Sequence, residues 1–107
     1  MSQAIPLTNS SQIASRANQE VRIIGKVQKV SGGVLLLEAS DNGTVEVKLQ
    51  LDETPTSEYV EVIGRVSRTG DSITQHALLP LGDNLDLSLV EQLVKLTPKF
   101  PSLFSEQ

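Results

Sequence analysis

The chain has 107 residues, a net charge of −4, an isoelectric point near 4.8, no cysteine and three aromatic residues, Tyr59, Phe100 and Phe104. Such a chain makes one domain with a small core, has no disulfide framework or cysteine-based metal or redox centre, and is a poor match for a strongly basic grip on nucleic acid. The opening MSQAIPLTNS lacks a basic segment followed by an apolar run and no apolar stretch approaches membrane-spanning length, so a soluble intracellular protein without membrane contact is expected.

Residues 1–8 carry no periodic signal and are expected to be a flexible lead. Asn9, Ser10 and Ser11 are N-cap residue types ahead of QIASRA, which predicts one short helix near 11–17. Asn18 tolerates left-handed backbone and ends it. Residues 21–30 alternate as a strand, with Val21, Ile23, Gly25 and Val27 on the core face; Val30 breaks the parity, as a bulge would. After the turn Ser31-Gly32-Gly33 a second strand covers 34–40. Asp41-Asn42-Gly43 then predicts a type I′ hairpin turn. The third strand covers 44–51, with Val45, Val47, Leu49 and Leu51 inward and Glu46, Lys48 and Gln50 outward. Residues 52–57, with Pro55, are a loop too short for an ordinary helix. Strands four (58–68) and five (72–79) flank Thr69-Gly70-Asp71, and Pro80 and Gly82 end the strand run.

One pattern recurs. Val21–Val27 reads VRIIGKV and Val60–Val66 reads VEVIGRV. Glycine inside a strand marks a bulge, a bend or a close backbone approach. Two such strands suggest a small sheet that curls and closes. Five short strands, a leading helix and a trailing helix predict an all-β fold with flanking helices, a five-stranded OB-fold barrel. The expected organisation is a flexible N-terminus over 1–8, the barrel over 9–82, and a C-terminal oligomerisation helix and tail over 83–107.

No catalytic constellation is present. His76 is the single histidine and lies in a predicted strand; there is no nucleophile elbow, phosphate loop, dinucleotide fingerprint or paired-histidine metal motif. Neither enzyme activity nor a cofactor or metal is expected. Single-strand binding by such a barrel needs a basic groove and aromatic platforms. Strands two and three have no aromatic residue and set Glu38 and Glu46 against Lys48. Lys29, Lys48 and Arg68 are the candidates for weak phosphate contact, and strong binding by the chain alone is not expected.

Residues 85–97, LDLSLVEQLVKLT, are helical in period. Asp86 or Ser88 is a cap, Ser88 with Glu91 fits a capping box, and Pro98 is expected to stop the helix at Thr97. Leu85, Leu87, Leu89, Val90, Leu93, Val94, Leu96 and Phe100 fill an apolar arc of roughly 200°, about twice what packing on one's own domain requires. The surplus predicts contact with partner helices.

The motifs V-x-I-I-G-K-V at 21–27, D-N-G-T-V-E-V at 41–47, V-E-V-I-G-R-V at 60–66, and a helix leading into Phe100-Pro101 are together similar to the smallest subunit of eukaryotic replication protein A, a heterotrimeric single-strand-binding complex. The resemblance implies a non-catalytic OB-fold scaffold whose C-terminal helix joins helices of the middle and large subunits. Single-stranded DNA would then be met mainly through the complex, in replication, repair and recombination in the nucleus. It implies an interface at Leu85, Leu89, Val90, Leu93, Val94, Leu96 and Phe100. Two alternatives remain: the small OB subunit of a telomere-end trimer, and an autonomous weak single-strand binder.

Overall fold

The computed structural model describes residues 5–50 and 54–99. The strands are β1 (Leu7–Thr8), β2 (Glu20–Ser31), β3 (Val34–Ala39), β4 (Thr44–Lys48), β5 (Tyr59–Val66) and β6 (Ser72–Pro80). A 3-10 helix covers Ile13–Arg16, and one α-helix, α1, covers Leu87–Lys99. β2, β3, β4, β6 and β5 pair in that order and β5 pairs back to β2, which closes a five-stranded barrel. Within the ring only β4–β6 is parallel. No helix is present between β4 and β5 among the described residues. None of the described helices is long and apolar enough to cross a membrane.

The two copies of the repeat are antiparallel neighbours. Gly25 stands opposite Val60, Gly64 opposite Val21, and Ile23 opposite Val62. The fifth residue of each copy therefore meets the first of the other, about a local two-fold at Ile23 and Val62. Each glycine serves close approach to the next strand of the ring. A Cβ on Gly25 would collide with the Glu38 carbonyl oxygen and lie 2.8 Å from Leu37 Cγ in β3. A Cβ on Gly64 would collide with the Thr74 carbonyl oxygen and lie 2.8 Å from Ile73 Cγ2 in β6. With these two Cβ atoms absent the barrel closes on a small radius. The register of β2 against β3 shifts between Val27 and Lys29, which is the bulge that the parity of Val30 requires.

The interior holds Val21, Ile23, Leu35, Leu37, Val45, Val47, Val60, Val62, Val66 and Ile73, all at most 1% exposed. Alternation along each strand places them there. Ile13 of the 3-10 helix joins this core.

Several local expectations are corrected. Residues 7–8 are not a loose lead: they form β1, parallel to β2, with Leu7 and Thr8 buried. The leading helix is a single 3-10 segment without a side-chain cap; its candidate caps turn elsewhere, because the backbone N–H groups of Ser10 and Ser11 and the Ser10 hydroxyl donate to the Asp41 carboxylate. It ends at Ala17, whose ψ of 136° already leaves the helix, and Asn18 just beyond is left-handed at φ 66°. The hairpin turn with two left-handed residues is Gly32-Gly33, at φ 58° and 79°. In the Asp-Asn-Gly turn only Asn42 is left-handed, at φ 70°, and its N–H donates to the Ala39 carbonyl at 2.9 Å. Gly43 is required there because a Cβ would run into Ser10 Oγ.

Candidate assembly surface

After β6 the chain is tied back to the start of β5. Leu81 N–H donates to the Tyr59 carbonyl at 2.9 Å, Tyr59 N–H to the Gly82 carbonyl at 3.0 Å, and Glu58 N–H to Asp83 Oδ1 at 2.8 Å. These bonds set where α1 begins. Asp86 precedes the helix and caps it: its Oδ1 accepts from Ser88 N–H at 3.0 Å and from the Ser88 hydroxyl at 2.6 Å. The hydroxyl and N–H of Ser88 hold the Asp86 carboxyl below its ordinary range. α1 starts two residues later than the period of the sequence suggests and continues through Thr97 and Pro98 to Lys99. Pro98 lies one residue from the end, so it forgoes a single intrahelical bond in the last turn and does not stop the helix.

The apolar arc of α1 divides into two stripes. Val90 is 5% exposed and Val94 0%, and with Leu7 they form a second small core to which Ile24, Leu85 and Leu87 are half-buried neighbours. Leu89, Leu93 and Leu96 are 57%, 55% and 43% exposed. At 100° per residue the leucine stripe spans about 60°, Leu87, Val90 and Val94 together span about 60°, and the two centres lie about 125° apart. The residues of the expected interface are thus divided between two faces. Val90, Val94 and Leu85 pack on the chain's own sheet, and Leu89, Leu93 and Leu96 form the outward stripe. Phe100 lies outside the described residues.

Beside the valines, on the flank of α1 turned away from the leucines, stands Glu91. Its carboxylate accepts from Asn9 Nδ2 at 3.1 and 3.0 Å and from Ser40 Oγ at 2.7 Å. Its side chain is only 16% exposed, and Asn9 and Ser40 are 4% and 7% exposed. Asn9 Oδ1 accepts from Ser11 Oγ at 2.9 Å, which turns the side-chain Nδ2 toward Glu91. Lys95 Nζ lies 3.9 Å from the same carboxylate. Glu91 is thus a link from helix to barrel, in place of the capping box expected with Ser88.

The outer face of β2, β3 and β4 is mixed in charge. Lys26 pairs across strands with Glu38, Lys29 with Leu36, Leu36 with Glu46, and Val34 with Lys48. Lys26 Nζ also lies 3.2 Å from Glu58. Asp71, in the turn after β5, is held below its ordinary pKa first by the hydroxyls of Thr69 and Ser67 and in part by the charge of Lys48. Lys29 and Lys48 are exposed, with Leu36 and Glu46 between them across the sheet, and Arg68 is exposed in the β5–β6 turn. His76 Nδ1 meets Glu20 Oε2 at 3.0 Å on exposed strand.

The family model of Replication factor A protein 3 matches residues 1–104. The chain belongs to this family. It is 41% identical to a chain in the structure of U. maydis Replication protein A bound to ssDNA, over 99% of this chain and 100% of that one, with a TM-score of 0.94. A chain of yeast RPA bound to ssDNA is 19% identical, over 97% of this chain and 100% of that one, with a TM-score of 0.75. A chain of the S. pombe Stn1-Ten1 complex is 20% identical, over 92% and 96%, with a TM-score of 0.72. At these two lower identities the likeness is one of fold alone. No curated protein matches the chain in sequence.

For this member of the Replication factor A protein 3 family, sequence reasoning missed the roles of Asn9, Ser40 and Glu91. Asn9 and Glu91 stand 82 residues apart, and no local period links them. The one available signal was that Glu91 sits directly beside Val90 in the middle of the helix, on the border of its apolar arc.

Proposed function

We propose that this chain is the small, non-catalytic structural subunit of a replication protein A heterotrimer, and that it enters the complex through α1. The leucine stripe carries the reading: Leu89, Leu93 and Leu96 are about half exposed along one line of a helix whose other apolar stripe is already buried. Each large aliphatic side chain removed from water contributes about 1.5–3 kcal/mol. A row of three is what a helix offers to a bundle. The partners are helices of the middle and large subunits, packed with α1 in a three-helix bundle, with Phe100 as the candidate extension. Single-stranded DNA is bound mainly by the complex, in the nucleus, in replication, repair and recombination. Lys29, Lys48 and Arg68 add at most scattered phosphate contacts. The mixed charge of the β3–β4 face and its lack of aromatic residues support that division of labour.

The test is co-expression with the middle and large subunits. Leu89→Glu combined with Leu93→Glu is expected to abolish co-purification while the far-UV spectrum and thermal unfolding of the barrel stay as in the parent chain. Partners that still co-purify with the double variant would refute the role of the stripe. Affinity capture from nuclear extract distinguishes a replication complex from a telomeric one through the subunits recovered.

A further inference from the structure

We propose that Glu91 is a positioning residue for assembly: bonded to Asn9 and Ser40, it sets the rotation of α1 on the barrel so that the leucine stripe faces outward before any partner arrives. This rests on the assembly role proposed above for α1.

Apolar contact does not by itself select one rotation of this helix. The arc of roughly 200° contains two stripes of similar breadth. A roll of about 125° would bury Leu89, Leu93 and Leu96 where Val90 and Val94 now sit. Hydrophobic burial is non-directional, so it holds the helix down in either state. In the rolled state the leucines would be hidden from a partner.

Glu91 separates the two states. It stands about 65° from the valine stripe and nearly opposite the leucines. Only the observed rotation brings its carboxylate to Asn9 Nδ2 and Ser40 Oγ, at 2.7 to 3.1 Å. After a roll, Asn9 and Ser40, both at most 7% exposed, would lose their acceptor. Buried donors without partners are costly, and bonds to an ionised acceptor are the strong ones. Polar groups at the edge of an apolar contact can in this way choose one geometry out of several. The barrel supplies its half of the arrangement from two distant points, the end of β1 and the end of β3.

The test uses the full chain, alone and co-expressed with the middle and large subunits. Hydroxyl-radical labelling read by mass spectrometry reports side-chain access along α1. In the parent chain Leu89, Leu93 and Leu96 label strongly and Val90 and Val94 weakly. In Glu91→Leu, Leu93 labelling is expected to fall and Val94 labelling to rise. If the outward state drops to about a tenth, assembly weakens about tenfold. Glu91→Gln keeps an acceptor for Ser40 and is expected to restore much of both readouts. Asn9→Val combined with Ser40→Ala leaves the helix sequence intact, removes both barrel-side donors to Glu91, and is expected to give the same opposite changes at Leu93 and Val94. It decides the matter if Glu91→Leu does not fold.

Parent-like labelling in the Asn9→Val, Ser40→Ala double variant would overturn the proposal. So would a rise at the leucines and valines together, since that is undocking without rolling and assigns Glu91 a purely adhesive role. If the parent chain fails to assemble, the assembly reading fails, and opposite changes at Leu93 and Val94 still establish the control of rotation.

Discussion

Adjacent residues of α1, Leu93 and Val94, are expected to give opposite results when each is cut back to alanine. Val94 is 0% exposed against Leu7 and Ile24, whereas Leu93 is 55% exposed. Val94→Ala removes two methyl groups at about 0.8 kcal/mol each and leaves a small cavity, a total of about 2–3 kcal/mol. That loss falls on the docking of α1, and a docked helix can open locally while the barrel stays folded. Amide exchange in α1 should therefore accelerate about 30- to 150-fold, since each 1.4 kcal/mol is a factor of ten. Leu93→Ala removes side chain that is already half in water and replaces leucine by the best helix former, so exchange should change by less than about threefold. The order reverses in assembly. Leu93→Ala should weaken association with the partner subunits about tenfold or more, and Val94→Ala should act only through docking. Hydrogen exchange by mass spectrometry on the isolated chain and co-elution of the co-expressed subunits provide the two measurements. Equal acceleration of exchange by the two variants would refute the assignment of the stripes.

Gly64→Ala and Gly25→Ala should each destabilise the barrel by about 1–3 kcal/mol, because the added methyl meets a backbone carbonyl of the next strand that cannot swing aside; chemical denaturation measures this, and an unchanged midpoint would show that the strands can separate without loss. Asp41 supplies a pH test. Burial opposes its charged form, but the Ser10 hydroxyl and the N–H groups of Ser11, Ser10 and Gly43 outweigh burial and lower its pKa from 3.8. A lowered folded-state pKa means that its stabilisation is complete above the unfolded value and is lost as pH falls below 3.8 through the folded value. Asp41→Asn should accordingly be less stable than the parent chain at neutral pH and converge on it in acid, by denaturation midpoints across that range; a constant gap would show that Asp41 does not titrate with folding. The isolated chain should show no submicromolar affinity for oligo-dT at physiological salt, measured by fluorescence anisotropy; tight binding would make it an autonomous single-strand binder.

The barrel was readable in the sequence because its signals are local. Alternation alone separates the buried Val21, Ile23, Val45, Val47, Val60 and Val62 from their outward neighbours. Likewise, a glycine within each copy of the repeat is informative by itself, since few other reasons place one mid-strand. β1 was invisible for the opposite reason. Two residues have no period, and Leu7 and Thr8 are extended only because β2 supplies their partners. Turn chemistry misled at Asn42-Gly43, where the glycine answers to Ser10, a residue distant in the chain.

The arc of α1 shows the same division. Composition and period determine that the helix carries more apolar surface than one sheet can cover. They leave open which part turns inward, because a periodicity fixes the angles between residues and not the rotation of the whole set. In the proposed arrangement Asn9 and Ser40, which hold Glu91, decide it, while Leu7 and Ile24 supply the apolar seat. Those contacts exist only after the barrel has closed and brought the ends of β1 and β3 to one place beside the helix.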